Sequence, residues 1–384
     1  MNSPLENQSE TAANSRPIRP AAPRPTTQMT IGCLVIPLVV VILTFGVFTY
    51  VRANASSRLT VPEGEVVLVR AMPDSSATLM ARFGEGRQLR ITGRTGEWRW
   101  LEVELWDNQH GWTLRPLDIM VWQLEVAEKA PQPPERLPAP VISLKAEMIE
   151  IPATTFTMGS PPGLGEPDEE PAHPVSLSAF EIDQTEVTLG QYWICVEAGE
   201  CGAPVEDASQ TEPHYINDPA FDNHPVINVP WAEANRYCIW QGKRLPTEAE
   251  WEMAAGWDQE RGAKLLWPWG NSPTGVEVNV GNSSMGDPAV VGHFPDDQSP
   301  LGLLDMGGNV SEWVFDWYKV DYYSVADVTD PVGPTNRRGE GTGRGVRGGS
   351  YADPVEQART ANRGNNEATY GYRTVGFRCA RDKQ

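Results

Sequence analysis

Thirteen residues, Leu301 to Trp313, read LGLLDMGGNVSEW and set two carboxylates, Asp305 and Glu312, around a glycine pair. Gly307 and Gly308 let the backbone turn where a side chain would clash. A turn that aims both carboxylates and the carbonyls between them inward presents hard oxygen ligands, which calcium takes at about six to eight positions. The plainer reading is a tight loop with two solvated acids. Sulfur is scarce: the five cysteines are Cys33, Cys195, Cys201, Cys238 and Cys379, with none between the last two. Cys33 falls in an apolar run, which leaves an even four. Those four read as disulfides in an oxidising compartment and as free thiols in the cytoplasm. The histidines, His110, His173, His214, His224 and His293, show no pair at helical metal spacing, so each reads as a surface or turn residue.

Few helices are available to position these groups. Thr188 is placed to cap one running through Tyr192 and Val196 toward Gly199. Trp231, Ala234 and Cys238 recur at three- and four-residue spacing, the mark of a helix with one buried face. Thr247-Glu-Ala-Glu250 fits a capping box, and Gly256 ends the helix that it opens. Beyond it the pattern is loops and short strands. The 35 glycines and 34 prolines agree with much irregular backbone.

The chain has 384 residues, room for two or three domains, and a net charge of -20 from 51 acidic against 31 basic residues. That balance argues against nucleic acid or an anionic lipid surface as partner, since both need basic patches. Residues 1–29 read as a disordered cytoplasmic tail whose only basic groups are Arg16, Arg19 and Arg24. Residues 30–52 hold an uncharged apolar run from Ile31 to Val51, long enough for a transmembrane helix. A cleaved signal peptide is the rival reading, because Ala53-Asn54-Ala55 resembles a processing site. Residues 58–125 alternate apolar and polar positions between Gly, Pro and Asp turns, as in Val66 to Val69, Gln88 to Thr92 and Arg99 to Val103. Residues 126–144 contain APQPPERLPAP, an extended Pro-rich linker, and 145–384 form the main domain.

Ordered blocks in the main domain carry a family resemblance. They are Met158-Gly159-Ser160 after Glu150-Ile-Pro-Ala153; Glu181 to Thr188; Pro230 to Cys238; Gly242-Lys-Arg-Leu-Pro-Thr-Glu-Ala-Glu-Trp251; Trp267-Pro-Trp-Gly-Asn271; Val346-Arg-Gly-Gly-Ser-Tyr351; and Gly376-Phe-Arg-Cys379. With the opening stretch, they make residues 145–382 resemble the sulfatase-modifying-factor family, which includes the formylglycine-generating enzyme. The fold this implies is α+β and loop-rich, a modified C-type-lectin-like domain. The blocks around Val69, Gly96-Glu-Trp98 and His110-Gly-Trp112 resemble a bacterial SH3-like β-barrel, some relatives of which bind cell-wall peptide or glycan. We expect a spacer there, with Trp98, Trp100 and Trp112 in its core.

The resemblance also assigns sites. It pairs Cys238 with Cys379, leaving Cys195 and Cys201 as a second disulfide around a short loop. It places structural calcium on Asp305, Gly308, Val310 and Glu312, with a second ion on Asn279 and Val280 and Asp287 as a candidate partner. The enzyme's two copper-binding thiolates follow the Gly-Gly-Ser motif, and here those positions are Asp353 and Ala358. Copper is therefore not expected, nor is conversion of a substrate cysteine to formylglycine. Arg347, Ser350, Tyr351, Asp353 and Ala358 would lie at the former active-site groove, with Arg347 and Arg378 also pairing acids and Trp267 and Trp269 packing. The iron-dependent sulfoxide synthases, a sister branch, need a histidine cluster that this chain lacks. The expected function is that of a membrane-anchored extracytoplasmic pseudoenzyme with a binding, scaffolding or accessory role toward a protein or cell-wall component. The alternative is an oxidoreductase-type enzyme acting on a protein or small molecule by another mechanism.

Overall fold

The computed structural model describes residues 58–61, 66–73, 75, 77–95, 100–114, 146–275, 277–281, 285–334 and 343–383. The tail, the expected membrane span, the Ala53 to Ala55 processing site, Trp98 and the Pro-rich linker lie outside them. Among the described residues no helix is long and apolar enough to cross a membrane.

The first module is an antiparallel sheet of β1 (Arg58–Thr60), β2 (Val67–Arg70), β3 (Leu79–Phe83), β4 (Gln88–Arg94), β5 (Trp100–Glu104) and β6 (His110–Leu114), ordered β1-β4-β5-β6-β2-β3. Burial alternates along β2 and β4, so Val67, Val69, Leu89 and Ile91 face one core with Leu101 and Val103. Trp100 and Trp112 are buried as expected.

This module packs against the main domain. Arg82 on β3 donates from Nη1 and Nη2 to both carboxylate oxygens of Asp222, at 2.6 and 3.1 Å, and from Nε to Glu197 at 3.1 Å. Trp106 stacks on His214 with ring centres 4.4 Å apart. Burial raises the Asp222 carboxyl against the pull of Arg82, so the ion pair holds a charge that the interface alone would not tolerate. Arg82→Leu would strand Asp222 there and cost about 3 kcal/mol. Calorimetry should then resolve separate melting of the two modules. A single transition at the parental temperature would contradict the docking.

In the main domain, or head, a three-stranded sheet ordered β17-β10-β7 joins the two ends of the domain: β7 (Met148–Ile151), β10 (Phe180–Asp183) and β17 (Ala380–Asp382). Beside it β8 (Thr154–Met158) and β9 (His173–Leu177) form a hairpin. Helix α1 (Leu189–Glu197) opens on a capping box between Thr188 and Gln191, and α3 (Glu248–Gly256) on one between Thr247 and Glu250. Helix α2 (Trp231–Trp240) buries Ala234, Tyr237 and Cys238. After a small ribbon of β11 (Trp257–Asp258) and β12 (Ala263–Lys264), a second sheet runs β15-β14-β13-β16: β13 (Ser311–Trp317), β14 (Gly343–Arg347), β15 (Gly364–Glu367) and β16 (Val375–Gly376). Every residue of α3 is buried, Glu248 and Glu252 included. A helix buried all round that carries acids must find cations in the core.

Candidate functional site

Those cations come from β12, from β14 and from the segment after Ala358. Arg347 donates from Nη1 to Glu248 at 2.9 Å and from Nη2 to Glu252 at 2.7 Å. Arg363 clasps Glu248 from Nε and Nη2, at 2.8 and 3.0 Å. The Lys264 ammonium closes on the other Glu252 oxygen, which also accepts the Gly159 N–H at 2.7 Å. Arg347 is thus a core cation rather than a groove residue, because Glu248 and Glu252 draw its side chain beneath the sheet.

Past Arg347 the chain turns through Gly348 and Gly349 with φ of +92° and +69°. A Cβ on Gly349 would meet the Gln357 backbone at 3.0 Å, so the turn needs glycine for space as well as for angle. The turn delivers Ser350, whose Oγ donates to Asp353 Oδ2 at 2.6 Å and accepts the Ala352 N–H at 3.2 Å. Ser350 and Tyr351 are buried, with the Tyr351 hydroxyl aimed at the Arg373 carbonyl. Ala358 is 0% exposed and packs with Trp267 and Val280. Trp267 is locked over it by a 2.9 Å bond from its indole Nε1 to the Val355 carbonyl. Of the five groove residues, only Asp353 keeps a partly exposed side chain. At the positions expected for soft ligands stand a hydroxyl-bonded carboxylate and a buried methyl group.

The 305–312 loop is shaped for close approach. Gly308 has φ +124°, and a Cβ there would lie 2.6 Å from the Asn279 carbonyl oxygen. Glu312, however, is taken. Its Oε1 accepts Arg378 Nε at 2.9 Å and Nη2 at 2.7 Å, and its Oε2 accepts Arg378 Nε at 2.8 Å and Trp251 Nε1 at 2.9 Å. Three N–H groups, one of them shared between the two oxygens, thus engage both sides of the carboxylate, beside a guanidinium that repels a second cation. Asp305, Gly308, Val310 and Glu312 therefore do not fit a calcium shell. In the second set the Asn279 carbonyl accepts the Asn309 N–H at 2.8 Å, and Asp287 is turned to Ser209, Gln210 and Thr211. Among the described residues no three His, Cys, Asp or Glu side chains are arranged to hold a metal ion.

Sequence reading missed two acids that share this pocket, Glu186 and Asp297. Each keeps one buried carboxylate oxygen without a donor. Burial, and then the charge of Asp305, push both carboxyls well above the usual carboxylate range. Asp316 is raised by burial and by neighbouring Glu248. Glu252 goes the other way: burial would raise it, but Lys264 and Arg347 outweigh that and hold it at about 2.

A pH dependence follows. A raised carboxyl binds its proton more tightly in the fold than in the unfolded chain, so stability falls as pH climbs past its ordinary value. Glu252 contributes fully above 4.5, and its share is lost as pH drops toward about 2. The melting temperature should therefore be higher near pH ~5 than near pH ~8, by the equivalent of about 1–3 kcal/mol, and collapse below pH ~3. A steady rise from ~5 to ~8 would contradict these protonation states.

Loop-rich sheets, capped helices, the disulfides Cys195–Cys201 and Cys238–Cys379 and this charge-lined core make the head an α+β domain. Residues 135–383 match the sulfatase-modifying factor enzyme 1-like domain, and the chain belongs to that family. It is 34% identical over 295 residues to the formylglycine-generating enzyme of Thermomonospora curvata, covering 61% of this chain and 93% of that protein. It is 35% identical over 277 residues to the serine/threonine-protein kinase Pkn1 of Chlamydia trachomatis serovar L2, covering 68% of this chain but 40% of the kinase. The chain thus spans about two fifths of the length of the chlamydial relatives. Among solved structures it is similar to PvdO from Pseudomonas aeruginosa, with a TM-score of 0.51 and 25% identity over 65% of this chain and all of that one.

Proposed function

We propose that this chain is a family member without the copper-dependent oxidation, acting as a binding or scaffolding module held at a membrane with its head outside the cytoplasm. One observation carries the reading: Asp353 is bonded by Ser350, and Ala358 is sealed under Trp267, where the resemblance would place two thiolates. A soft Cu(I) ion needs soft ligands, and a carboxylate with a methyl group supplies none. The disulfides Cys195–Cys201 and Cys238–Cys379 support an oxidising location. The β1 to β6 module is an SH3-like element in this reading, fixed to the head through Arg82. The kinase and formylglycine-generating activities named for the relatives stay with those proteins.

Metal binding tests the proposal. Cu(I) titration against a chromophoric chelator should leave the copper with the chelator, whereas retention of one equivalent by the chain would overturn the reading. Removing calcium with a chelator should shift the melting temperature by less than about 2 °C. A drop of about 5–10 °C, worth about 2.7 kcal/mol, would mean that calcium displaces Arg378 from Glu312.

A further inference from the structure

The head settles its basic side chains with care. Among the described residues, every lysine and arginine of the head but one has a carboxylate within 4.0 Å. The exception is Arg344 on β14. Its guanidinium lies between two indoles, 3.6 Å from the centre of Trp231 and 3.8 Å from that of Trp317, with Phe315 at 5.8 Å. Nη1 donates to the Phe315 carbonyl, Nε is sealed without an acceptor, and Nη2 meets no acceptor among the described residues. The Trp231 indole is itself pinned to the Val314 carbonyl at 2.8 Å. The stack thus holds a cation in a fixed plane, ordered in advance of any ligand.

Phe315, 36% exposed, links this stack to an open cavity of about 500 Å³, whose apolar walls include Phe180, Pro331 and Val332 and whose acids Glu250 and Asp382 are held by Arg244 and Asp330 by Ser178. Along the adjoining segment Val320, Val325 and Val332 stand 47%, 69% and 49% exposed. In a chain of net charge -20, an arginine with no carboxylate within 4.0 Å among the described residues, set beside apolar side chains, complements a single carboxylate that arrives with apolar neighbours. A polyanion would be repelled by the remainder of the surface.

We propose that this face docks an extended protein segment, which presents a Glu or Asp carboxylate to Arg344 and seats an adjacent apolar side chain in the cavity beside Phe315. The cavity meets Thr247 and Glu250 at the start of α3, whereas Gly256 at its end packs on Thr360, two residues past Ala358. The docking face is therefore separate from the groove, and it stands whether or not the copper argument does.

The test uses the full chain and a fluorescein-labelled peptide with one Glu set among Leu and Ser residues, with the same peptide carrying Lys in place of that Glu as counterpart, read by fluorescence polarisation. The acidic peptide should bind, with Arg344→Gln weakening it at least about tenfold and Arg344→Lys falling between. Val332→Glu alters an exposed site at the cavity, so it leaves the fold intact and should also repel the peptide. No binding of the acidic peptide, equal binding by Arg344→Gln, or an unaltered Val332→Glu would each overturn the proposal. Displacement by millimolar inorganic phosphate without regard to Val332 would overturn it as well, by showing an anion site alone.

Discussion

Arg378→Met should abolish cooperative folding of the head. The Arg378 side chain is fully buried, clamps Glu312, and donates to the carbonyls of Asp183, Gln184 and Leu304 at 3.0, 2.9 and 2.8 Å. Asp297, Asp305 and Glu186 crowd the same pocket, so removing one guanidinium leaves the Glu312 carboxylate and three further buried carboxyl groups without a cation. Breaking a buried ion pair costs about 3–5 kcal/mol, and each orphaned carbonyl adds about 1–3. That sum rivals the whole stability of a domain, about 5–15 kcal/mol. Denaturant unfolding followed by tryptophan fluorescence would show no cooperative transition at neutral pH and partial recovery in mild acid, where the carboxyls protonate. A variant that unfolds within about 2 kcal/mol of the parent would contradict the charge count.

The second large effect is covalent. Cys238 on α2 and Cys379 after β16 are joined across a sequence separation of 141, whereas Cys195 and Cys201 are separated by 6. A cross-link limits the unfolded chain more as its loop lengthens, by about 5 kcal/mol for the long loop and about 2 for the short one. The Cys238→Ala, Cys379→Ala pair of changes should therefore cost at least about twice as much as the Cys195→Ala, Cys201→Ala pair, measured by urea midpoints at constant m. The reverse order would mean that the N-terminal half of the head folds and holds without its C-terminal strand.

Local chemistry was legible in the sequence wherever a signal and its partner lie within a few residues. Thr188 and Thr247 announced their helices, because a hydroxyl at the first turn satisfies a free amide, and in Thr247-Glu-Ala-Glu250 the carboxylate three residues on satisfies another. The family blocks marked the loop-rich α+β head, and Arg347 and Arg378 do pair with acids. What failed to show was the choice of partner across long separations. Nothing near Glu312 in sequence announces Arg378, so the same carboxylate read as a calcium ligand. Glu248 and Glu252 lie four apart on a helix with no polar face, a pattern that signals buried cations, yet Glu250 alone was read, as a cap. Arg82 and Asp222 are 140 residues apart, and no periodicity predicts that a strand of the first module docks on the head. Arg344 sits one strand away from Trp317 and far in sequence from Trp231, so its stack appears only once the sheet is assembled.

The central claim concerns sulfur, and it meets its hardest test in a chemical assay. The full chain, with Cu(I), oxygen and a thiol reductant, is incubated with a sulfatase-motif peptide, and aldehyde is read by hydrazide capture and mass spectrometry. With Asp353 and Ala358 in place of thiolates, the peptide cysteine should remain a thiol. Catalytic appearance of the aldehyde would contradict the account.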